Sequence, residues 1–518
     1  MDFKELANEE YNNEELSPHF GGKNGKPYWN INAPQCIYVP AFSFPIIIGE
    51  QRYRYTVTGR DGIEHTFDTD KPNAYLTPVW NNLPTGMVTI KVEWVDKEGN
   101  AKYLSGIRNI FKMDQFPGRE NLPKRACSYR ECAKKALRWI FNEPKVQQWL
   151  TDRRPAPDFP LISYTSKIIG SVIGGMISYA KLEPENAEKA IEIAKIGGDF
   201  LIETSYGEDC ALKGLPRTYM INDTDAKQEC VPDEPRQRKN MIMMIYPAEA
   251  GVNYIELSKV TGDKKYFDAA MHIANFYKDT VLPNGSWPLL MSAKSGEKTS
   301  EKCCVAFIIS QFLRMIGEET KEQIWFDIDK KYIEYITKTC HEKYDWQAQF
   351  EDAPESDFYS NLTHIDADDM VMYIANNFAG DKEKLEEAEY LMRFVEDQFV
   401  VWGEFAPYIP ENTPEGMYWY SPSATEQYHW CVPIDGSTAK IMKAFLELYK
   451  ANKNPLLLEK ACALGDAVTR MQNPETGMIP THWIFKDCWK KLDGWFWFNC
   501  HIGTANNMMY LADFLGEE

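Results

Sequence analysis

At 518 residues, with 44% hydrophobic and 26% charged side chains, the chain has a globular composition and more length than one ordinary domain uses. A formal charge of -19 sets its average field against nucleic acid and anionic membrane surfaces, and no apolar run reaches spanning length. The opening Met1–Leu16 stretch lacks the cationic flank and apolar core of a secretory signal, and twelve cysteines fall at irregular spacing, so reduced thiols and a cytoplasmic location are expected.

Residues from about Pro18 to Met113 read as strands. Cys36–Val39, Tyr53–Val57, His65–Phe67 and Val88–Trp94 are β-branched and aromatic, and several alternate with polar residues as half-buried strands do. Turn signals separate them at Gly59–Gly62, Leu83–Gly86 and Lys97–Asn100. This pattern resembles fibronectin- or immunoglobulin-like modules and predicts a small antiparallel β-sandwich with a short N-terminal arm over residues 1–115. Phe116-Pro117-Gly118 and Pro123 form a linker.

From about Arg125 the chain carries a dozen helix-like segments in pairs. Turns after the second member of each pair are short, as at Leu182–Pro184, Thr261–Asp263, Gly317–Glu319, Gly380-Asp381 and Asn452–Asn454. Those after the first member are long: 206–240, 283–298, 342–363, 402–433 and 473–497. Long connections recurring at one phase of a repeat are usually functional, so the chemistry should lie on the face that carries them. First members such as Asn186–Glu203 and Lys264–Asp279 have one apolar stripe and one charged face, as outer helices do. Second members such as Ile168–Met176 and Met241–Ile255 are apolar or small nearly all round and so should be buried, with Gly170, Gly174 and Gly175 permitting close approach. Inner helices are predicted to begin near Ser163, Asn240, Ser300, Thr363, Pro433 and Trp497.

One echo recurs after outer helices: Asn284-Gly285-Ser286-Trp287-Pro288, Trp402-Gly403-Glu404-Phe405-Ala406-Pro407, and Asn473 through Gly477 to Pro480. With these turns, the stretch from Arg125 to Gly516 resembles the six-hairpin glycosidase superfamily, whose (α/α)6 toroids often follow an N-terminal β-domain. The resemblance implies a mainly α fold, an (α/α)6 toroid over residues 120–518, and an active site in the bowl where long loops meet inner helices. Glycoside cleavage there uses two carboxyl groups flanking the scissile bond.

Carboxylates at the starts of inner helices are therefore the catalytic candidates. Asp366, Asp368 and Asp369 open the fourth, and three acids in four positions in a narrow bowl should raise at least one pKa. Asp366 and Asp369 share a helix face; Thr363-x-x-Asp366 alternatively fits a capping box. Asp435, after Pro433, opens the fifth helix, and Glu426 lies in the loop before it. Sugar-stacking candidates crowd the same loops: Tyr418-Trp419-Tyr420, Tyr428-His429-Trp430, Trp483, Trp489, Trp495 and Trp497, with loop-core packing as the alternative. His364 and His501 could hydrogen-bond a sugar. Arg236 and Arg238 before the second inner helix could hold a uronate carboxylate or, instead, neutralise the acidic stretch Asp223–Glu234. Glu301-Lys302-Cys303-Cys304 resembles part of the zinc site of a toroidal arabinofuranosidase family, but a third cysteine ligand is missing, so neither metal nor cofactor is expected.

The reading that follows is a glycoside hydrolase acting on oligosaccharides, with a terminal uronic acid as one substrate. The unsaturated-glucuronyl hydrolases differ in lacking the β-domain and in carrying an arginine-glycine-tryptophan signature absent here. A lyase or epimerase using His364, His429 or His501 is the alternative on this scaffold, and a non-catalytic carbohydrate-binding protein is the third reading.

Overall fold

A computed structural model describes residues 2–16, 32–46, 52–221, 233–403, 420–484 and 496–517. An arm helix, α1 (Phe3–Asn13), starts at Asp2, whose carboxylate accepts the Lys4 and Glu5 amides. The β-module follows: β1 (Glu15–Leu16), β2 (Gln35–Cys36), β3 (Val39–Ser43), β4 (Tyr53–Thr58), β5 (Glu64–Thr69), β6 (Asn73–Tyr75), one turn of helix α2 (Thr77–Trp80), β7 (Gly86–Val95) and β8 (Ala101–Lys112). Two sheets form, in the orders β2-β8-β7-β4-β5 and β1-β3-β6. Tyr53, Tyr55 and Val57 alternate inward along β4 and meet Val88, Ile90 and Val92 of β7, Phe42 of β3 and Trp80 of α2 in one small core. The β1–β3 and β2–β8 pairs are parallel rather than antiparallel. Both are two-residue additions made by the chain as it enters the module, so neither needs a hairpin.

The rest is helical. In chain order come α3 (Tyr129–Asn142), α4 (Pro144–Asp152), α5 (Thr165–Leu182), α6 (Ala187–Glu203), α7 (Asp233–Arg238), α8 (Tyr246–Thr261), α9 (Lys264–Thr280), α10 (Phe307–Thr320), α11 (Gln323–Ile336), α12 (Ile365–Asn377), α13 (Lys382–Phe399), α14 (Asp435–Asn452), α15 (Pro455–Met471) and α16 (Phe498–Leu515). Helices α5, α8, α10, α12, α14 and α16 each touch the next, and α16 returns to α5, closing an inner ring. Helices α6, α9, α11, α13, α15 and α3 pack outside it. Closure at the α5–α16 seam needs Gly175, because a Cβ there would come within 2.9 Å of the Ile502 side chain.

Two of the recurring glycine turns share a structural job. Gly285, after α9, has φ +90° and lies against the backbone carbonyl of Lys331 on α11. Gly477, after α15, has φ +86° and lies against that of Lys135 on α3. Each turn seats one outer helix against the next around the ring, and only glycine fits both the positive φ and the close carbonyl. In the Trp402 echo Gly403 instead lies against the Asp114 side chain, and residues 404–407 lie outside the described residues.

Two inner helices start later than their sequence suggests, and the entry to a third differs. Met241–Met243 is a strand, β9, paired antiparallel with β10 (Leu290–Ser292), so the second inner helix begins at Tyr246 with Pro247 in its first turn. The third begins at Phe307, since Pro288 and Cys303 bridge in extended form. Pro433 does not sit in a first helical turn: it ends β13 (Trp430–Pro433), which pairs with β12 (Ser423–Gln427), itself paired with β11 (Val400–Val401). Among the described residues no helix is long and apolar enough to cross a membrane.

Arm, module and toroid are joined by buried polar contacts. Glu396 of α13 accepts from Tyr11 of the arm, from Tyr38 Oη (3.0 Å), from Trp402 Nε1 (2.9 Å) and from Lys460 Nζ of α15 (2.7 Å). Its neighbour Asp397 accepts the amides of Ile37 and Tyr38 at 2.5 and 2.8 Å.

Candidate active site

A cavity of about 1110 Å³ occupies the toroid axis, lined by residues from all six inner helices and from the loops above them. The inner helices are not apolar all round. Lys167, Ser171 and Gly174 of α5, Glu249 and Asn253 of α8, and Lys440, Lys443 and Glu447 of α14 recur at three- and four-residue steps, one polar stripe per helix facing the axis.

Of the carboxylate candidates, Asp366, Asp369 and Glu426 line this cavity. Asp366 does not cap its own helix. Its Oδ1 accepts the amide of Phe307, the first residue of α10, at 3.1 Å, so it closes the neighbouring helix while its carboxyl faces the cavity. Burial, then the charge of Asp369, pushes its pKa up to about 7, with Lys440 pulling the other way. Asp369 is held by Lys440 of α14 at 2.8 Å. Glu426 arrives on β12, whose backbone is fixed by Thr363 Oγ1 donating to the Glu426 carbonyl (2.8 Å). Burial pushes the Glu426 carboxyl up to about 7 as well, opposed by Lys167 and reinforced by Asp352 and Glu351.

Asp435 and Asp368 turn away from the cavity. Asp435 is fully buried and accepts Thr504 Oγ1 at 3.0 Å, bracing α14 to α16; burial holds its pKa far above the usual carboxylate range. Asp368 lies 2.7 Å from His364 Nδ1, and both side chains are sealed from solvent. His364 is therefore a core residue, not a sugar ligand. His501 is likewise enclosed, with its ring nitrogens 3.1 and 3.0 Å from the carbonyls of Ile479 and Ala136. His429 is exposed on the β12–β13 turn, its amide bonded to Asn361 Oδ1. No histidine among the described residues lines the cavity.

The aromatic candidates divide similarly. Trp483 is buried with Nε1 donating to the Pro480 carbonyl at 3.0 Å, and Tyr428 donates to Gln398 Oε1 at 2.6 Å while stacking on Phe399. Both support loops. Trp430 is exposed and meets His482 edge-on, outside the cavity lining. Trp419 and Trp495, with Tyr418 and Trp489, lie outside the described residues. Trp497 stacks on Tyr164, and the Lys167 ammonium stands 4.6 Å from its ring centre. Arg236 and Arg238 do not line the cavity either. Arg238 donates to the Glu351 carbonyl at 2.9 Å, so it clamps a loop backbone. Cys303 and Cys304 point to Asn284 and the Pro288 carbonyl, and no group of three metal-ligating side chains occurs among the described residues.

Several site residues escaped the sequence reading. Tyr246, Phe307 and Phe350 supply aromatic walls near the carboxylates, and Glu249 adds a third carboxyl pushed up to about 7 by burial. Glu351, on the loop before α12, is buried and bonds Lys167 Nζ at 2.7 Å and the Tyr246 hydroxyl. It ties the mouth of α5 to that of α8.

No protein-family model and no curated protein sequence matches the chain. Among solved structures it is similar to cellobiose 2-epimerase from Spirochaeta thermophila, with TM-score 0.51 and 12% identity over 75% of this chain and 98% of that one. It is also similar to a family 76 glycoside hydrolase from a bovine Bacteroides thetaiotaomicron strain (TM-score 0.44, 10% identity, 91% and 95% covered). A third is an unsaturated glucuronyl hydrolase specific for heparin (TM-score 0.47, 12% identity, 75% and 98% covered). At such identities the likeness is one of fold. The chain has an (α/α)6 toroid, the fold it shares with the cellobiose 2-epimerase.

Proposed function

We propose that the protein is a glycoside hydrolase acting on oligosaccharides, with Asp366 as general acid and Glu426 as the second carboxylate. The observation that carries this reading is that both side chains line one cavity and that burial lifts both pKa values to about 7, so a proton is available at neutral pH. Asp366 passes its proton to the glycosidic oxygen as the bond to the anomeric carbon breaks and its electron pair stays on that oxygen. Glu426, drawn toward its ionised form by Lys167, acts on the opposite face of the sugar, where it attacks the anomeric carbon ahead of water or takes the proton from a water that attacks it directly, so that a new bond to oxygen replaces the one broken. Asp369 contributes through its charge, which favours the protonated form of Asp366. Free thiols at nine of the cysteines suit a reducing compartment, so a cytoplasmic location is part of the proposal.

The test is a panel of chromogenic aryl glycosides, glucuronides included, followed by natural oligosaccharides. Release of the aryl group by the wild type, lost in Glu426→Gln, together with loss of natural-oligosaccharide cleavage in Asp366→Asn, supports the reading. Conversion of a reducing sugar without bond cleavage, or an unsaturated ultraviolet-absorbing product, would replace it with an epimerase or a lyase.

A further inference from the structure

The cavity continues past the carboxylates along α14, where Lys440, Lys443, Glu447 and Lys450 follow one another down one face. Most cations lining it are matched: Lys167 with Glu351 (2.7 Å), Lys440 with Asp369 (2.8 Å), Lys450 with Glu447 (2.9 Å), and Arg314 with Asp329 (4.0 Å). Lys443 is the exception. Its ammonium makes no ion pair among the described residues and stands 5.1 Å from the ring centre of Tyr510. Asn506 and Asn507 of α16 line the same cavity and bring amide donors. Burial lowers its pKa, with the charges of Lys440 and Lys450 acting the same way and those of Asp369 and Glu447 opposing. In a chain with 76 acidic against 57 basic side chains, a cavity cation held in no direct ion pair is a device for attracting a negative group against the average field.

We propose that Lys443 receives an oxyanion, carboxylate or phosphate, carried by the sugar bound in this cavity, so that acidic sugars are the substrate class. This rests on the reading of the cavity as a sugar site and takes over the role that Arg236 and Arg238 do not fill. Lys443 lies one helical turn from Lys440, which places the oxyanion on the same cavity wall as the Asp369–Lys440 pair.

Calorimetric binding of D-glucuronate, D-glucose 6-phosphate and D-glucose tests it on the full chain. The wild type should bind one of the two anions at least about tenfold more tightly than glucose, as expected for a charge-assisted contact; which anion wins identifies the group. Lys443→Met should bring that ratio to about one, and Lys443→Arg should keep it. Equal affinities for all three sugars, no binding of any, or a preference that survives Lys443→Met would overturn the inference. An anion preference without glycoside cleavage removes the hydrolase reading alone; cleavage of neutral glycosides without an anion preference removes this one alone.

Discussion

Lys440 Nζ on α14 lies 2.8 Å from Asp369 Oδ2 on α12, and this pair sets the charge that Asp366 experiences one helical turn away. Asp369 raises the Asp366 pKa, and Lys440 lowers it. The ion pair is thus a tuning element beneath the proposed acid, joining two neighbouring inner helices.

Asp369→Asn removes the raising charge and frees Lys440 to act on Asp366 unopposed. Both changes lower the Asp366 pKa, so the general acid loses its proton at lower pH. The alkaline limb of the kcat/KM profile should move down by about one unit, with the loss of rate greatest above neutrality. An unmoved alkaline limb would mean that Asp366 is not the acid.

Asp366→Asn should reduce kcat by about a hundredfold or more on alkyl glycosides and much less on nitrophenyl glycosides, whose leaving groups need little protonation. Asparagine keeps an oxygen for the Phe307 amide and carries no charge to desolvate, so the melting temperature should not fall. A kcat loss equal on both substrate types would assign Asp366 a positioning role instead.

The rings were legible in the sequence because loop length alternates with helix phase, and because glycine turns such as Gly285 and Gly477 answer a backbone requirement that side-chain packing cannot substitute. Asp366, Asp369 and Glu426 could be singled out because acids at helix mouths and in long loops are local features. The polar stripe was overlooked: Glu249 and Asn253, or Lys440 and Lys443, are few among apolar neighbours, yet their three- and four-residue spacing was a readable sign of a wet axis. Glu351 gave no local signal, since its partners Lys167 and Tyr246 come from other helices. Trp483, Tyr428 and His501 misled because an aromatic or imidazole that braces a loop has the same local sequence as one that meets a sugar. Only the backbone carbonyl or side chain at the other end of its hydrogen bond separates the two.

The proposed site should also leave a mark on stability. Glu249 has a folded pKa of about 7, above its unfolded value, so the native state binds more protons between roughly pH 4 and 7. Its contribution is favourable below the unfolded pKa and is lost as pH rises through 7. Glu249→Gln removes this dependence. Relative to wild type, the variant should gain on the order of 1 kcal/mol between pH 5 and pH 8, read from denaturant midpoints. A difference that stays constant with pH would contradict the raised pKa.

The junction of arm, module and toroid allows a sharper test. Glu396 and Lys460 are both almost completely buried and 2.7 Å apart, and the same carboxylate takes hydrogen bonds from Tyr11, Tyr38 and Trp402. Lys460→Met keeps the volume but strands a carboxylate among neutral donors, and breaking a buried pair from one side costs about 3–5 kcal/mol. Adding Glu396→Gln removes the stranded charge and retains an acceptor for the ring hydroxyls, so the double variant should recover most of that loss. The arm reaches this network through Tyr11, so the single variant should also expose α1 to limited proteolysis before the toroid unfolds. If Lys460→Met and the double variant were equally stable, the pair would not be coupled, and the arm would be held by its apolar contacts alone.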